Sequence, residues 1–565
     1  MKPILHNRAF WLLLVICCLT LFPILGLPEY HTKGEPREAV VSYSMLATGN
    51  WILPRNNGGE MAYKPPFFHW CVAAVSAVRG KVTEGASRVP SAAALTGMTL
   101  CIFCFYARRR ENSLALMAAL IGFTSFEIHR AGANCRVDMM LTAFTVAALC
   151  LLYDWYEKGL RGVPILSIIM MGLGILTKGP IGAIIPCLVI GIFMLLRGVN
   201  FFKTFFLLCA WGLLSLIPYA IWFYFAWQQG GQEFLDLMYE ENIARMTGTM
   251  GYNSNVEAWH FNVLTLIGGY IPWTVLIVIS LFFLHWRRPA LTSLWQRFTA
   301  WIRNMKDLDL FSLTAIVVIF VFYCIPQSKR TVYLMPIYPF IGYFIAQYVE
   351  WMEQRKNPTV KIYGSILAVL GILVFASIIT AVSGFVTEST FGEGGLDEKG
   401  VLTLHNLQQL NHPMEWAILA VPVVLGIVWF LSLRKQNIWG VLLLTFGIYL
   451  AMDAAVTPAV LKVKSVKSQA LELDRRIPAS DGVMYEFVEE GVKAKGDPKH
   501  FFEINFYLGN RIESFHRQKP EKGFLLIDRE DASRNLPIFR QEGYQMEEYY
   551  DFGKRDIVVY RFQKK

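Results

Sequence analysis

Charged residues are scarce in this chain. They make up 17% of its 565 residues, against about a quarter in an average soluble domain, while hydrophobic residues make up 54%. That balance excludes an ordinary soluble protein. Cysteine is absent after Cys324, so the polar C-terminal region has no disulfide framework. Cys101 and Cys104 form a CxxC, but inside an apolar run, where two small buried hydrophobes are the simpler reading than a redox pair. There is no GxxxxGK[ST] loop and no strand-borne GxGxxG, which excludes the common nucleotide-phosphate cradles. No cofactor and no metal is called for.

What the chain has in quantity is apolar sequence. Runs of spanning length recur from Phe10 to about Ala455. They give about thirteen candidate spans, at roughly 10–27, 89–107, 113–128, 139–156, 163–177, 180–196, 204–226, 263–284, 310–326, 331–349, 362–386, 414–433 and 437–455. The first follows Lys2 and Arg8 and has no small-residue cleavage site, so it is expected to remain as an uncleaved helix. With that end inside, alternation places Arg108, Arg109 and Arg110, then Lys158 and Arg161, Arg197 and Lys203, Arg287 and Arg288, Arg355 and Lys356, and Arg434 and Lys435 on the same side. The acidic loop 387–413, with Glu388, Glu393, Asp397 and Glu398, falls outside. This is the positive-inside pattern. It accounts for the net charge of +10 without a nucleic-acid partner. An odd span count places the C-terminal segment outside. The short apolar stretch 66–78 would put the Arg108–Arg110 triplet outside if it spanned, so it is expected to be interfacial or re-entrant.

Three outer segments, 28–88, 227–262 and 387–413, are long enough to build a site. The first holds an expected helix over 36–48, with Pro36 near its start and Gly49 at its end. Its apolar residues Val40, Val41, Met45 and Leu46 suit a helix lying on the membrane. Residues 456–565 are polar, with a helical stretch over 463–476 before strand-like runs at 483–487, 524–527 and 557–562. The expected architecture is a polytopic α-helical membrane domain, residues 1–455, whose loops 28–88 and 227–262 form the site, followed by a small α/β domain, residues 456–565.

Chemistry-bearing residues concentrate on the outer side. The first loop carries Glu35, Arg37, Arg55 and Lys64, with Glu38 and Glu60 nearby. A carboxylate there could orient or deprotonate an acceptor, and the cations could hold a phosphate leaving group; a solvated loop of mixed charge is the bland alternative. Asp138 stands at the mouth of an expected helix, where capping is the usual explanation, although ionisable groups at membrane depth are functional candidates. Lys178, Arg245, Lys329 and Arg330 with Tyr333 nearby occupy outer turns, from which Lys and Arg are normally depleted. Singly each could be a snorkelling anchor. Together they point to an anion site. An outward-facing enzyme has no cytosolic nucleotide sugar, whereas a lipid-linked donor carries its phosphate leaving group at the membrane surface.

The motifs resemble those of the GT-C superfamily, in its bacterial branch related to protein O-mannosyltransferases and the lipid A aminoarabinose transferase. They are Glu35-x-Arg37, Gly49-Asn50-Trp51, Leu53-Pro54-Arg55, Lys64-Pro65-Pro66, Arg88-Val89-Pro90-Ser91-Ala92, Asp138-Met139-Met140-Leu141-Thr142, Leu176-Thr177-Lys178-Gly179-Pro180 and the segment from Ser328 to Pro336. The resemblance implies about thirteen spans, a site on the outer face, a periplasmic C-terminal domain and an undecaprenyl-phosphate-linked sugar donor. It places Glu35 and Asp138 as the two catalytic carboxylates and Lys64 and Arg245, with Arg37, at the donor phosphate. Arg55, Lys178, Lys329 and Tyr333 would line the site. The first carboxylate is usually Asp, and here it is Glu35.

The expected function is inverting glycosyl transfer from a polyprenyl-phosphate sugar to an envelope lipid or glycan, with lipid A a candidate acceptor, in a bacterial inner membrane. A flippase for lipid-linked sugars and a protein O-mannosyltransferase are the alternatives. The topology is directly testable: cysteines introduced beside Glu35 and at Gly482 should be labelled from outside intact cells, and one at Arg109 only after the membrane is opened. Labelling at Gly482 that needs an opened membrane would refute the odd span count.

Overall fold

The computed structural model describes residues 6–244, 256–284, 294–388, 390, 396–432, 436–488, 499–553 and 555–565. Within them, eight helices are long and apolar enough to cross a membrane, or up to ten if each of two bent pairs counts as one span. The bent pairs are Asn112–Phe123 with Phe126–Gly132, turned by 72°, and His260–Gly269 with Trp273–Leu281, turned by 101°. Both fall where the sequence suggested one continuous span. Three shorter apolar helices, Arg8–Ile24, Ile165–Lys178 and Ile181–Leu196, coincide with the remaining expected spans, and Phe67–Arg79 is the short helix expected at 66–78.

Local chemistry sets the helix ends that matter for the site. Thr83 caps Glu84–Ala107 by accepting from the Ala86 N–H at 3.1 Å. Gly49 ends Gly34–Thr48 in the left-handed region at φ 71°, a conformation glycine adopts without strain. That helix differs from its expected setting. Val40, Val41 and Met45 are buried, but so are Glu35, Glu38, Ser42 and Ser44. Its buried face packs against protein. It is enclosed by Phe67–Arg79 and by the C-terminal helix Phe502–Tyr507.

The last membrane helix runs on through Ile438–Lys464, and the C-terminal domain follows. Among the described residues the strands are β1 (Arg55–Asn56), β2 (Glu60–Met61), β3 (Met484–Glu486), β4 (Ile512–Ser514), β5 (Lys522–Asp528), β6 (Tyr544–Asp551) and β7 (Ile557–Lys564). The first two form a small hairpin in the loop ahead of Lys64. The other five form one mixed sheet in the order β4-β3-β5-β7-β6. β3, β5 and β7 are the strands expected from the sequence. β4 has three residues and β6 is mostly exposed, so neither shows an apolar alternation to read.

This domain is clasped to the hairpin. His500 lies between Glu60 of β2, 2.5 Å from Nε2, and Glu486 of β3, 2.8 Å from Nδ1. Glu486 also accepts from the Asn57 side chain at 2.8 Å and the Phe501 N–H at 3.2 Å. Gly58 at the hairpin tip is tight: a Cβ there would meet the Glu513 backbone at 2.4 Å. Glu233 adds an exposed bridge between Arg517 at 2.8 Å and Arg55 at 3.4 Å, a contact worth about 0–1 kcal/mol.

Burial alone would lower the His500 pKa, but Glu486 and Glu60 push it from 6.5 up to about 10. A pKa raised by folding stabilises the fold fully below the unfolded value and stops doing so as pH rises through the folded one. The thermal midpoint in detergent should therefore fall between pH 6.5 and about 10 in the wild type. The His500→Gln variant should start lower and show a flatter profile. Identical pH slopes in the two proteins would show that this clasp does not bear on stability.

Candidate active site

Glu35 and Glu38 stand three residues apart on the helix Gly34–Thr48, so both point toward one side of it. They meet different partners. The Glu35 carboxylate takes Arg88 Nε at 2.8 Å and Nη2 at 3.1 Å, and the Cys135 N–H at 2.8 Å. Arg88 is 1% exposed, sits 5.2 Å from the Tyr30 ring centroid and donates to the Leu25 and Pro28 carbonyls at 2.8 and 2.7 Å. Burial pushes the Glu35 carboxyl up, and Arg88 with the Cys135 N–H overcomes that and holds it below the usual range. The carboxylate itself is buried, at 1% exposure of the residue.

Glu38 meets other cations instead. Its Oε1 accepts from Lys64 Nζ and from Arg37 at 3.3 Å, and its Oε2 lies 2.9 Å from His69 Nε2. Burial raises its pKa, but Lys64, His69 and Arg37 hold it well below the ordinary value. Lys64 is partly buried. Burial, then repulsion from Arg37, lowers its pKa to about 8 against the pull of Glu38.

Asp138 is the second carboxylate of the cluster. It sits in the first turn of Val137–Glu157, whose N-cap is Arg136, so Asp138 is not a cap. Its Oδ1 accepts from Lys178 Nζ, and Lys64 and Arg136 lie within electrostatic reach. Lys178 ends Ile165–Lys178 and lies 4.5 Å from the Tyr333 ring centroid. Tyr333 in turn stacks on Tyr323 at 5.3 Å. The helix-start Asp and the helix-end Lys thus meet at one end of the bundle, each where the helix dipole favours its charge.

Of the residues singled out from sequence, Arg37, Lys64, Asp138, Lys178 and Tyr333 come together here. Glu35 pairs instead with Arg88 and the Cys135 N–H. Arg55 braces the hairpin through the Gly59 carbonyl at 2.8 Å and Glu233 at 3.4 Å. Lys329 is buried and donates to the Glu257 and Pro326 carbonyls at 2.7 and 2.8 Å. Neither Arg55 nor Lys329 lines this cluster. Arg245 lies outside the described residues. His69 and Arg136 also join the cluster and were not singled out from sequence, while Glu38 was named only as a neighbour of Glu35; the available signal was the shared helix face of Glu35 and Glu38.

Residues 63–223, which include Lys64, Asp138 and Lys178, match the dolichyl-phosphate-mannose-protein mannosyltransferase family. The structure superposes on ArnT from Cupriavidus metallidurans bound to undecaprenyl phosphate, with a TM-score of 0.70 over 98% of both chains at 18% identity. This chain has the GT-C fold. Among curated relatives, an uncharacterised Aquifex aeolicus protein is 25% identical over 62% of this chain. The undecaprenyl phosphate-alpha-4-amino-4-deoxy-L-arabinose arabinosyl transferase of Edwardsiella ictaluri is 25% identical over 66% of it. The chain spans 65% of the length of each of these two. A second such transferase, from Proteus mirabilis, is 23% identical over 78% of the chain and 72% of its own length. The structural likeness covers both the membrane helices and the C-terminal sheet domain.

The Glu35–Arg88 pair yields a stability prediction. Glu35→Gln leaves a buried guanidinium without its charge partner, which costs about 3–5 kcal/mol. The variant should unfold well below the wild type in a thermal or denaturant melt. An unchanged melt would remove Glu35 from the framework and return it to the list of groups acting on substrate.

Proposed function

We propose that this protein transfers a sugar from a polyprenyl-phosphate carrier to an acceptor at the periplasmic face of a bacterial inner membrane. The observation that carries the reading is the cluster itself: Lys64 and Lys178, each tethered by one carboxylate, meet at the ends of apolar helices. A lipid-linked phosphate needs that combination, with cations for its headgroup and apolar surface for its chain. An apolar groove of about 620 Å³ starts at Pro180, in the same turn as Lys178, and continues between Ile181–Leu196 and the first half of Phe201–Tyr239. It offers the polyprenyl chain a path along the bundle.

In the proposed reaction an acceptor oxygen attacks the anomeric carbon on the face opposite the phosphate. The bond from that carbon to the phosphate oxygen breaks, its electron pair stays on the phosphate, and the carrier leaves as a monoester. Lys64 and Arg37 neutralise the developing charge. Arg245 keeps the donor-phosphate role that the family resemblance implies. Glu38 holds Lys64 and Arg37 in place, and its depressed pKa makes it an electrostatic anchor rather than a proton acceptor. Asp138 gives one oxygen to Lys178, and its other oxygen can take an acceptor proton or bind an amino group on the sugar. Glu35 acts through Arg88 by fixing the helix that carries Glu38. The relatives' names carry 4-amino-4-deoxy-L-arabinose as the sugar, and the family resemblance implies lipid A as the acceptor. A lipid A phosphate is already ionised, and Asp138 would then chiefly position the sugar.

Purified protein given undecaprenyl-phosphate-linked aminoarabinose and extracted lipid A should form modified lipid A; carrier translocation with no transfer would overturn the reading in favour of a flippase. Lys64→Ala should weaken carrier binding roughly ten- to a hundredfold, since a charge-assisted contact is worth about 1.5–3 kcal/mol. Because the free Lys64 pKa is about 8, carrier affinity should decline as pH rises through that value, and the decline should vanish in Lys64→Ala. Asp138→Asn should bind carrier almost normally while turnover drops about 10²–10⁴-fold if Asp138 moves a proton. Full turnover in Asp138→Asn would exclude it from the chemistry.

A further inference from the structure

We infer that Arg136 holds a phosphate oxygen in this site, as a binding residue additional to Lys64 and Arg37. The inference rests on the transferase reading and adds a ligand contact to it.

Among the described residues, four cations, Arg37, Lys64, Arg136 and Lys178, gather about two carboxylates, Glu38 and Asp138. Arg37 and Lys64 share Glu38, and Lys178 has Asp138. The Arg136 guanidinium has no ion-pair or hydrogen-bond partner among the described residues, and its Nε is buried without one. A buried donor left unsatisfied is costly, and a ligand oxyanion would remove that cost.

The side chain starts from a fixed point. The Arg136 N–H donates to Ser91 Oγ at 3.3 Å, and Ser91 Oγ donates back to the Arg136 carbonyl at 3.2 Å. The preceding N–H, of Cys135, is held by Glu35 at 2.8 Å. The guanidinium lies beside Gly34: a Cβ there would come within 3.3 Å of Nη2. Gly34 therefore leaves free the space over which the guanidinium extends. The ligand class also follows from charge. The cluster's cations outnumber its carboxylates even with Glu241, near Arg37, counted, and a phosphate monoester carries about −1.5 to −2 at pH 7. A planar guanidinium suits two phosphate oxygens at once, which an ammonium cannot match.

The phosphate could be the carrier's or one on the acceptor, and two measurements on the full-length protein separate them. The first is the affinity of detergent-solubilised protein for undecaprenyl phosphate. Arg136→Ala should weaken it ten- to a hundredfold and Arg136→Lys by less. Gly34→Ala should weaken it too, by crowding Nη2 with the charge intact. The second is KM for lipid A against dephosphorylated lipid A. Normal carrier affinity with a raised KM for the phosphorylated acceptor alone would assign the acceptor's phosphate to Arg136. Variants that melt like the wild type and match it in both measurements would overturn the inference. A wild type that binds no carrier and transfers no sugar would instead overturn the proposed function.

Discussion

The buried ion pair between Glu35 and Arg88 is the constraint on which the site depends. Arg88 comes from the start of Glu84–Ala107, and Glu35 from the helix Gly34–Thr48. The Cys135 N–H that joins them precedes Val137–Glu157. One carboxylate thus ties three elements far apart in sequence. The pair is expensive to desolvate, and the carbonyls of Leu25 and Pro28 satisfy the remaining guanidinium donors. Its placement fixes where Glu38, one turn further along, and Asp138, three residues past Cys135, can lie.

The candidate site is built from opposite charges that neutralise one another. Lys64 is held by Glu38 and Lys178 by Asp138. Such tethering orders long, flexible ammonium side chains at a partly buried position, so less freedom would be lost on binding the phosphate of the proposed donor. The C-terminal domain takes part indirectly. By clasping the hairpin through His500, Glu60 and Glu486, it holds the segment that leads directly to Lys64. Its helix Phe502–Tyr507 also covers Gly34–Thr48. A domain that reads from sequence as an appendage is part of the wall behind the site.

Sequence by itself determined the class of protein, the approximate place of each apolar helix and the mixed α/β nature of the tail. Apolar length and loop charge are local properties, and the bilayer converts them directly into spans. It also singled out Arg37, Lys64, Asp138, Lys178 and Tyr333, because cations and carboxylates at the ends of apolar runs are costly there without a purpose. Tertiary structure decided which charge meets which. Glu35 and Glu38 are both acidic residues on one helix face, and nothing local distinguishes them. Only packing puts Arg88 beside the first and Lys64 beside the second. The same packing moved Arg55 and Lys329 out of the cluster, bent two expected spans and buried a helix whose apolar residues had suggested a lipid surface. Pairing between distant residues depends on the relative placement of whole helices, and a pattern confined to one stretch of chain carries no record of that placement.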